Sequence, residues 1–366
     1  MSTAQETIGP PAASKARLSL EERRRASTVR TAYTYIAPAA VVMVIITFFP
    51  LFYQLWISFT NFSNLNLRSS SLLGQMLGSF IPSLAETYNS PSLVGLENYW
   101  RIVSNELAQI LSGFDFWRIL LFNVVWTIIN VFFHVSIGIA VALLLNVKGL
   151  WFKRFYRALY ILPWAMPGLV MAMVWKNMFD DQTGSVNMLL RLLGHPGNVR
   201  WLQQIDPPIP FLPLFPLSFY VVLITNVWLG WPFMMTVATG ALQGIPHELY
   251  EAASMDGASR WQQFWTITLP LLRPAMVPAI MIGTMMTFNQ FNVIYFVSGG
   301  GPLHQTEILV TQAFRLVNET TINLAGVGNV RPYGIAAAFA YIVFVVLAII
   351  TLITNRISRA TEAYYE

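Results

Sequence analysis

Six stretches of this sequence are each long and apolar enough to cross a lipid bilayer, about 33–59, 116–146, 155–178, 213–242, 268–297 and 335–356. A membrane helix needs about 20 mostly apolar residues. In hydrocarbon every backbone N–H and C=O must be satisfied within the segment, so apolar runs of this length fold as helices. The expected class is therefore an all-α membrane protein with six transmembrane helices. Composition agrees: 55% of the 366 residues are hydrophobic and 11% are charged, against about 25% charged in soluble domains. Pro50, Pro163, Pro167, Pro232 and Pro278 lie in or near the runs and mark expected kinks. The chain has no cysteine, which excludes disulfides, thiol nucleophiles and Cys-based metal sites.

Lys and Arg placement orients the spans. Lys15, Arg17, Arg23, Arg24, Arg25 and Arg30 precede the first run; Lys148, Lys153, Arg154 and Arg157 flank the turn after the second; Arg260 and Arg273 follow the fourth; Arg356 and Arg359 follow the sixth. One side thus holds most of the chain's 22 basic residues. That side is expected to be cytoplasmic, with an N-terminal tail over 1–32 and a C-terminal tail over 357–366. The other side receives loops at about 60–115, 179–212 and 298–334. The first run is too long for a signal-peptide core and is expected to be a retained span.

On the cytoplasmic side, "EAASMDGASRWQQFWTITLP" (251–270) interrupts two apolar runs with an ordered polar segment. Pro246 suits a helix start, and Glu248 and Glu251 sit near its positive end. Leu249, Ala253, Gly257 and Trp261 share four-residue spacing, giving an amphipathic unit over 246–267. Gly257 in its middle calls for a bend between two short helices or for close backbone approach. The polar face is near neutral, with Glu248, Glu251 and Asp256 against Arg260. Helices that lie on lipid usually carry many Lys and Arg on that face, so a protein groove is the better partner.

Glu251, Ala252, Ala253, Gly257, Ile267, Leu269 and Pro270 meet at fixed spacing a pattern that resembles the coupling loop of ABC-importer permeases. "FFPLFYQLWISFTNF" (48–62), "VGLENYWRI" (94–102), "RALYILPWAMPGLVMAMVWKNMF" (157–179), "VWLGWPFMM" (227–235) and "VIYFVSGGGP" (293–302) resemble the sugar-importer branch. The likeness is greatest to the larger permease subunit of maltose and maltodextrin importers and covers most of 33–356. The chain departs in having one span before the first external loop and no large inserted external domain. The resemblance implies a type I importer permease fold with a cytoplasmic coupling helix, in a bacterial cytoplasmic membrane with both termini inside. It implies four kinds of partner: a second permease subunit, two ATPase subunits that carry ATP and Mg, an extracytoplasmic sugar-binding protein, and the bilayer. It also implies that Glu251, Ala252, Ala253, Asp256, Gly257, Ile267, Leu269 and Pro270 couple the chain to the ATPase.

No catalytic, cofactor or metal site is expected in the chain itself. It has no G-x-x-x-x-G-K-[ST] phosphate loop, and "SGGGP" at 298–302 reads as a surface turn. Its four histidines are scattered, and all 17 carboxylates fall in tails, loops or span ends. Proton-coupled carriers keep ionisable groups inside the bilayer; His134 is the one candidate here. The basic N-terminal stretch is explained by orientation, so no nucleic-acid partner is expected.

Asn123, Thr127, Asn130 and His134 form a stripe on the second run, either packing contacts between helices or path lining. Carbohydrate needs amides and hydroxyls for its hydroxyl groups and aromatic faces for its rings. The sugar-importer resemblance implies substrate contacts at Trp164, Gly168, Leu229, Gly230, Phe233, Gly283, Thr287 and Gln290. Trp164, Gly168, Phe233 and Gly283 stand where polar aromatic or hydroxyl groups are expected, so hydrogen-bonding capacity falls while room and stacking area rise. The expected substrate is maltose, maltodextrin or trehalose. The alternatives are another neutral sugar or glycerol derivative and, more remotely, an ATP-independent carrier.

Overall fold

A computed structural model describes residues 12–68, 71–109, 111, 113–147, 149–208, 215–324 and 328–362. Lys148, the first eleven residues and the last four lie outside the described residues. The chain divides into two units at Trp56 and Ile57.

The first unit is one helix that continues into the second, Ala12–Ser58. Its membrane-length part is Ser27–Ser58, with Pro38 and Pro50 inside. The stretch expected as a polar tail is thus helical from Ala12 onward. At the other end Tyr333–Glu362 is a single helix, so the expected C-terminal tail is helical as far as it is described.

Helices Phe116–Leu145, Leu217–Gln243 and Arg260–Ser298 are the second, fourth and fifth spans, and Tyr333–Arg356 is the sixth. Asp115 caps the second span by accepting from the Trp117 and Arg118 amides, which removes two of the donors a helix start leaves open. Spans two, four and five pack through Ala142, Met234, Met235, Ala238, Leu272 and Met276 at one end. They pack through Phe122, Trp126, Phe219, Val222 and Ile294 farther along. The sixth span joins through Ile335, Ala336 and Phe339 against Phe116, Ile119 and Phe288.

The third span corrects the sequence reading. It is not one kinked helix over 155–178. It is Lys153–Ala165 and Gly168–Met178, set at 91° to each other. Pro167 has no N–H to continue the ladder, and its ring drives Met166 into an extended conformation, φ −81° and ψ 145°. Pro163 stays inside the first half.

The fifth span departs from regular α-helix three times, the last in a π turn over Ile294–Ser298. Phe264–Thr268 is a π turn, and the Leu269 amide reaches back to the Phe264 carbonyl. Pro270, which follows, has no N–H and would crowd a regular turn; the wider turn accommodates it. Farther on, the helix Leu269–Phe288 stops, Asn289 and Gln290 leave helical geometry, and helix resumes at Phe291.

The loops expected to be external carry structure of their own. Leu72–Phe80 and Glu97–Val103 are helical, and Ser71 caps the former. Ser185–Leu192 is helical after the third span. Leu309–Asn318 and a small hairpin, Ile322–Leu324 with Gly328–Val330, lie between the fifth and sixth. "SGGGP" is also corrected: Gly300 and Pro302 are buried. The turn wraps the buried Glu307 carboxylate, which meets Arg315 Nε at 2.6 Å and His304 Nδ1 at 3.2 Å.

Candidate functional site

The polar segment after the fourth span is two short helices joined by a tight turn. Pro246 precedes His247–Met255, and Glu248 lies in its first turn. Gly257 ends that helix in the left-handed conformation at φ +79°. The Ala258 amide donates to the Ala253 carbonyl at 2.9 Å, and the Gly257 amide to Ser254 at 3.1 Å. This is the two-bond ending that glycine permits without a Cβ penalty. No atom lies within 4 Å of where a Gly257 Cβ would stand, so the turn itself, and not close approach, requires glycine.

A second helix, Arg260–Gln263, begins two residues later. Ser259 Oγ accepts from the Gln262 amide, and Gln262 Oε1 accepts from the Ser259 amide at 2.8 Å, a reciprocal cap. The Leu249–Trp261 stripe is thus split between two helices instead of running along one. Side chains strap the halves together: Tyr250 Oη meets Thr268 Oγ1 at 3.0 Å, and Gln263 Nε2 donates to Ser254 Oγ at 2.9 Å.

Glu251, Ala252, Asp256 and Gly257 are exposed, and Ala253 is half-buried. Glu251 approaches His247 at 3.8 Å. Ile267 sits in the π turn, and Leu269 and Pro270 open the helix that follows. Helical structure therefore runs from Arg260 into the fifth span without a loop. A cleft of about 1410 Å³ separates this segment from the turn after the second span, with Gly149, Leu150, Lys153, Tyr250, Ser254 and Arg260 on its walls. The segment is thus exposed, self-supporting and joined directly to a span.

Inside the bundle the polar stripe of the second span is used for packing. Asn226 Nδ2 donates to Asn130 Oδ1 at 2.8 Å, and Gln290 Nε2 donates to Asn226 Oδ1 at 2.9 Å. His134 Nε2 donates to the Asn226 carbonyl at 3.0 Å, and its ring lies over Gly230. A Cβ on Gly230 would stand 2.3–2.8 Å from three ring atoms. Asn226 was not singled out by sequence, although it is the one Asn in the fourth span. A lone amide in an apolar helix is itself a signal of interhelical bonding.

The proposed path residues divide into two groups. Leu229, Gly283 and Thr287 are buried in the bundle, and Gln290 turns toward Asn226. Trp164 is exposed at the break of the third span and stacks on Phe233 at 6.0 Å and 30°. Gly168, across the break, faces Asn292 Nδ2, 3.9 Å from its would-be Cβ. Asn292 is exposed. Trp164, Phe233, Gly168 and Asn292 therefore supply two aromatic faces, a free amide and space.

The architecture is a multi-pass helical bundle with an ordered extramembrane segment fused to one span, and the comparisons give its family. Residues 134–362 match the binding-protein-dependent transport system inner membrane component family, and the chain belongs to it. It is 30% identical over 332 residues to a galactooligosaccharides transport system permease protein of Bacillus subtilis (strain 168), covering 87% of this chain and 68% of that protein. It is 32% identical over 268 residues to a trehalose/maltose transport system permease protein of Thermococcus litoralis, covering 73% and 80%. A maltose/maltodextrin permease protein of Escherichia coli (strain K12) is 31% identical over 273 residues, covering 72% of this chain and 49% of that protein. In structure the chain is similar to a bacterial ABC transporter involved in import of the acidic polysaccharide alginate, with TM-score 0.66 and 20% identity. That match covers 94% of this chain and 99% of the other. The fold is that of a type I ABC-importer permease.

Proposed function

We propose that this chain is the membrane-spanning permease subunit of an ATP-driven importer for an oligosaccharide, working by alternating access. The observation that carries the reading is the two-helix segment at 246–268. It is exposed where a partner can grip it, held in shape by its own caps and straps, and continuous with the fifth span. A force applied there passes into the bundle without a flexible joint. In this reading two separate ATPase subunits hold ATP and Mg and move the segment, a second permease subunit completes the path, and an extracytoplasmic binding protein delivers substrate. The Glu251 side of the bundle, with both termini, faces the cytoplasm.

Three relatives named for oligosaccharides support the substrate class, and Trp164 with Phe233 offers the ring-stacking surface that sugars use. Maltose, maltodextrin or trehalose leads. The Bacillus relative favours a second reading within the class, a galactose-containing oligosaccharide.

The test is uptake by the assembled complex in liposomes with ATP inside, using labelled maltotriose with trehalose and galactooligosaccharide as competitors. ATP-dependent uptake is expected, and the strongest competitor ranks the sugars. Solute movement without ATP would contradict the reading.

A further inference from the structure

We infer that Asn123 is the positioning residue that links movement of the fifth span to the loop side of the bundle opposite Glu251. Its carboxamide joins three elements. Asn123 Nδ2 donates to the Phe288 carbonyl at 3.2 Å, and Asn123 Oδ1 accepts from the Leu309 amide at 2.9 Å. Phe288 is the last residue of the fifth span's long helix, and Leu309 is the first of the helix Leu309–Asn318. Both ends of the excursion 289–308 thus meet on one side chain. Asn123 itself is fully buried.

Helix ends explain why an amide is needed. Where a helix stops, its last carbonyls lack partners; where one starts, its first amides do. In a water-poor interior such groups must be satisfied by protein. Asn123 fills one need of each kind. Trp126 Nε1 supports it by donating to the Thr287 carbonyl at 3.2 Å.

The excursion held this way is tied together by its own side chains. It contains the outer part of the fifth span and the "SGGGP" turn. Ser218 Oγ donates to the Gly301 carbonyl at 2.9 Å, and Arg315 of the Leu309 helix bonds both Glu307 and the Gly299 carbonyl. The cytoplasmic segment runs into the helix that ends at Phe288. A tilt of that helix therefore pulls on Asn123, and Asn123 pulls on the Leu309 helix and its arginine. The "SGGGP" turn moves as the far end of the same train. A signal arriving at that turn from outside would use the same link in reverse.

This inference rests on the importer reading for its readout. The test uses the full reconstituted complex, and wild-type stimulation of ATP hydrolysis by sugar-loaded binding protein is the control on that reading. Two variants are compared. Asn123→Leu and Asn123→Ala each lose both the acceptor for Leu309 and the donor to Phe288, the first with the side-chain volume nearly kept. Thr127→Val is the neighbouring control, since Thr127 Oγ1 bonds only within its own helix, to the Asn123 carbonyl. Both Asn123 variants are expected to keep basal hydrolysis while stimulation falls about tenfold, and Thr127→Val to keep both. Unchanged stimulation in either assembled Asn123 variant would overturn the inference. So would failure of both to assemble while Thr127→Val assembles, because Asn123 would then only hold the fold. A wild type without stimulation would instead count against the importer reading.

Discussion

Gly257 is the residue whose role depends most on a single backbone angle. At φ +79° a side chain with a Cβ costs about 1–2 kcal/mol, and asparagine costs less than other residues. Gly257→Val is therefore expected to impair uptake strongly with spans intact, and Gly257→Asn to impair it mildly; equal uptake by the two would contradict the assigned turn. Gly230 makes a different demand, since its missing Cβ is occupied by the His134 ring. Gly230→Ala should lower stability by about 1–3 kcal/mol, read as a fall in the melting temperature of the purified complex; an unchanged melting temperature would mean that His134 swings aside at no cost. The bend at Gly257 was legible because a glycine inside a helical pattern has few uses. The inward turn of Gln290 was not. Its partner Asn226 lies in another span, and no pattern along one helix shows which way an amide points across a break.

Among the elements, the positions of five apolar helices were readable from length and composition alone, because hydrocarbon leaves few other choices. The third span was not. Pro163 and Pro167 look alike as letters, yet one is accommodated inside a helix and the other turns the chain through 91°. What separates them is the residue before each ring: Met166 takes the extended conformation, whereas Leu162 stays helical. The break after Phe288 was also hidden, since its stability comes from Asn123 and Trp126 on the second span. The segment over 246–268 gave its motif to sequence but not its internal strap. Removing the Tyr250 hydroxyl with Tyr250→Phe deletes the Thr268 bond, worth about 0.5–1.5 kcal/mol. Faster amide exchange over 247–268 is expected, with helices elsewhere unchanged. No change in exchange would show that the caps and the Gln263–Ser254 bond hold the segment without it.

At the scale of the whole molecule, the placement of all 17 carboxylates in tails, loops or span ends and the one ordered polar segment were both legible in the sequence. The described residues hold no group of three or more His, Asp or Glu able to bind a metal, and the family is one of transport components. The proposed function stands on a separate ATPase gripping the segment around Glu251. The measurement that tests it most directly is photo-crosslinking from Met255, 89% exposed at the end of the first short helix, in native membranes. A single major adduct is expected, identified by mass as a nucleotide-binding subunit, that disappears when the photo-reactive residue is moved to Ile282 on the fifth span. Adducts to lipid alone from Met255, in a protein that still moves solute in liposomes without ATP, would contradict it.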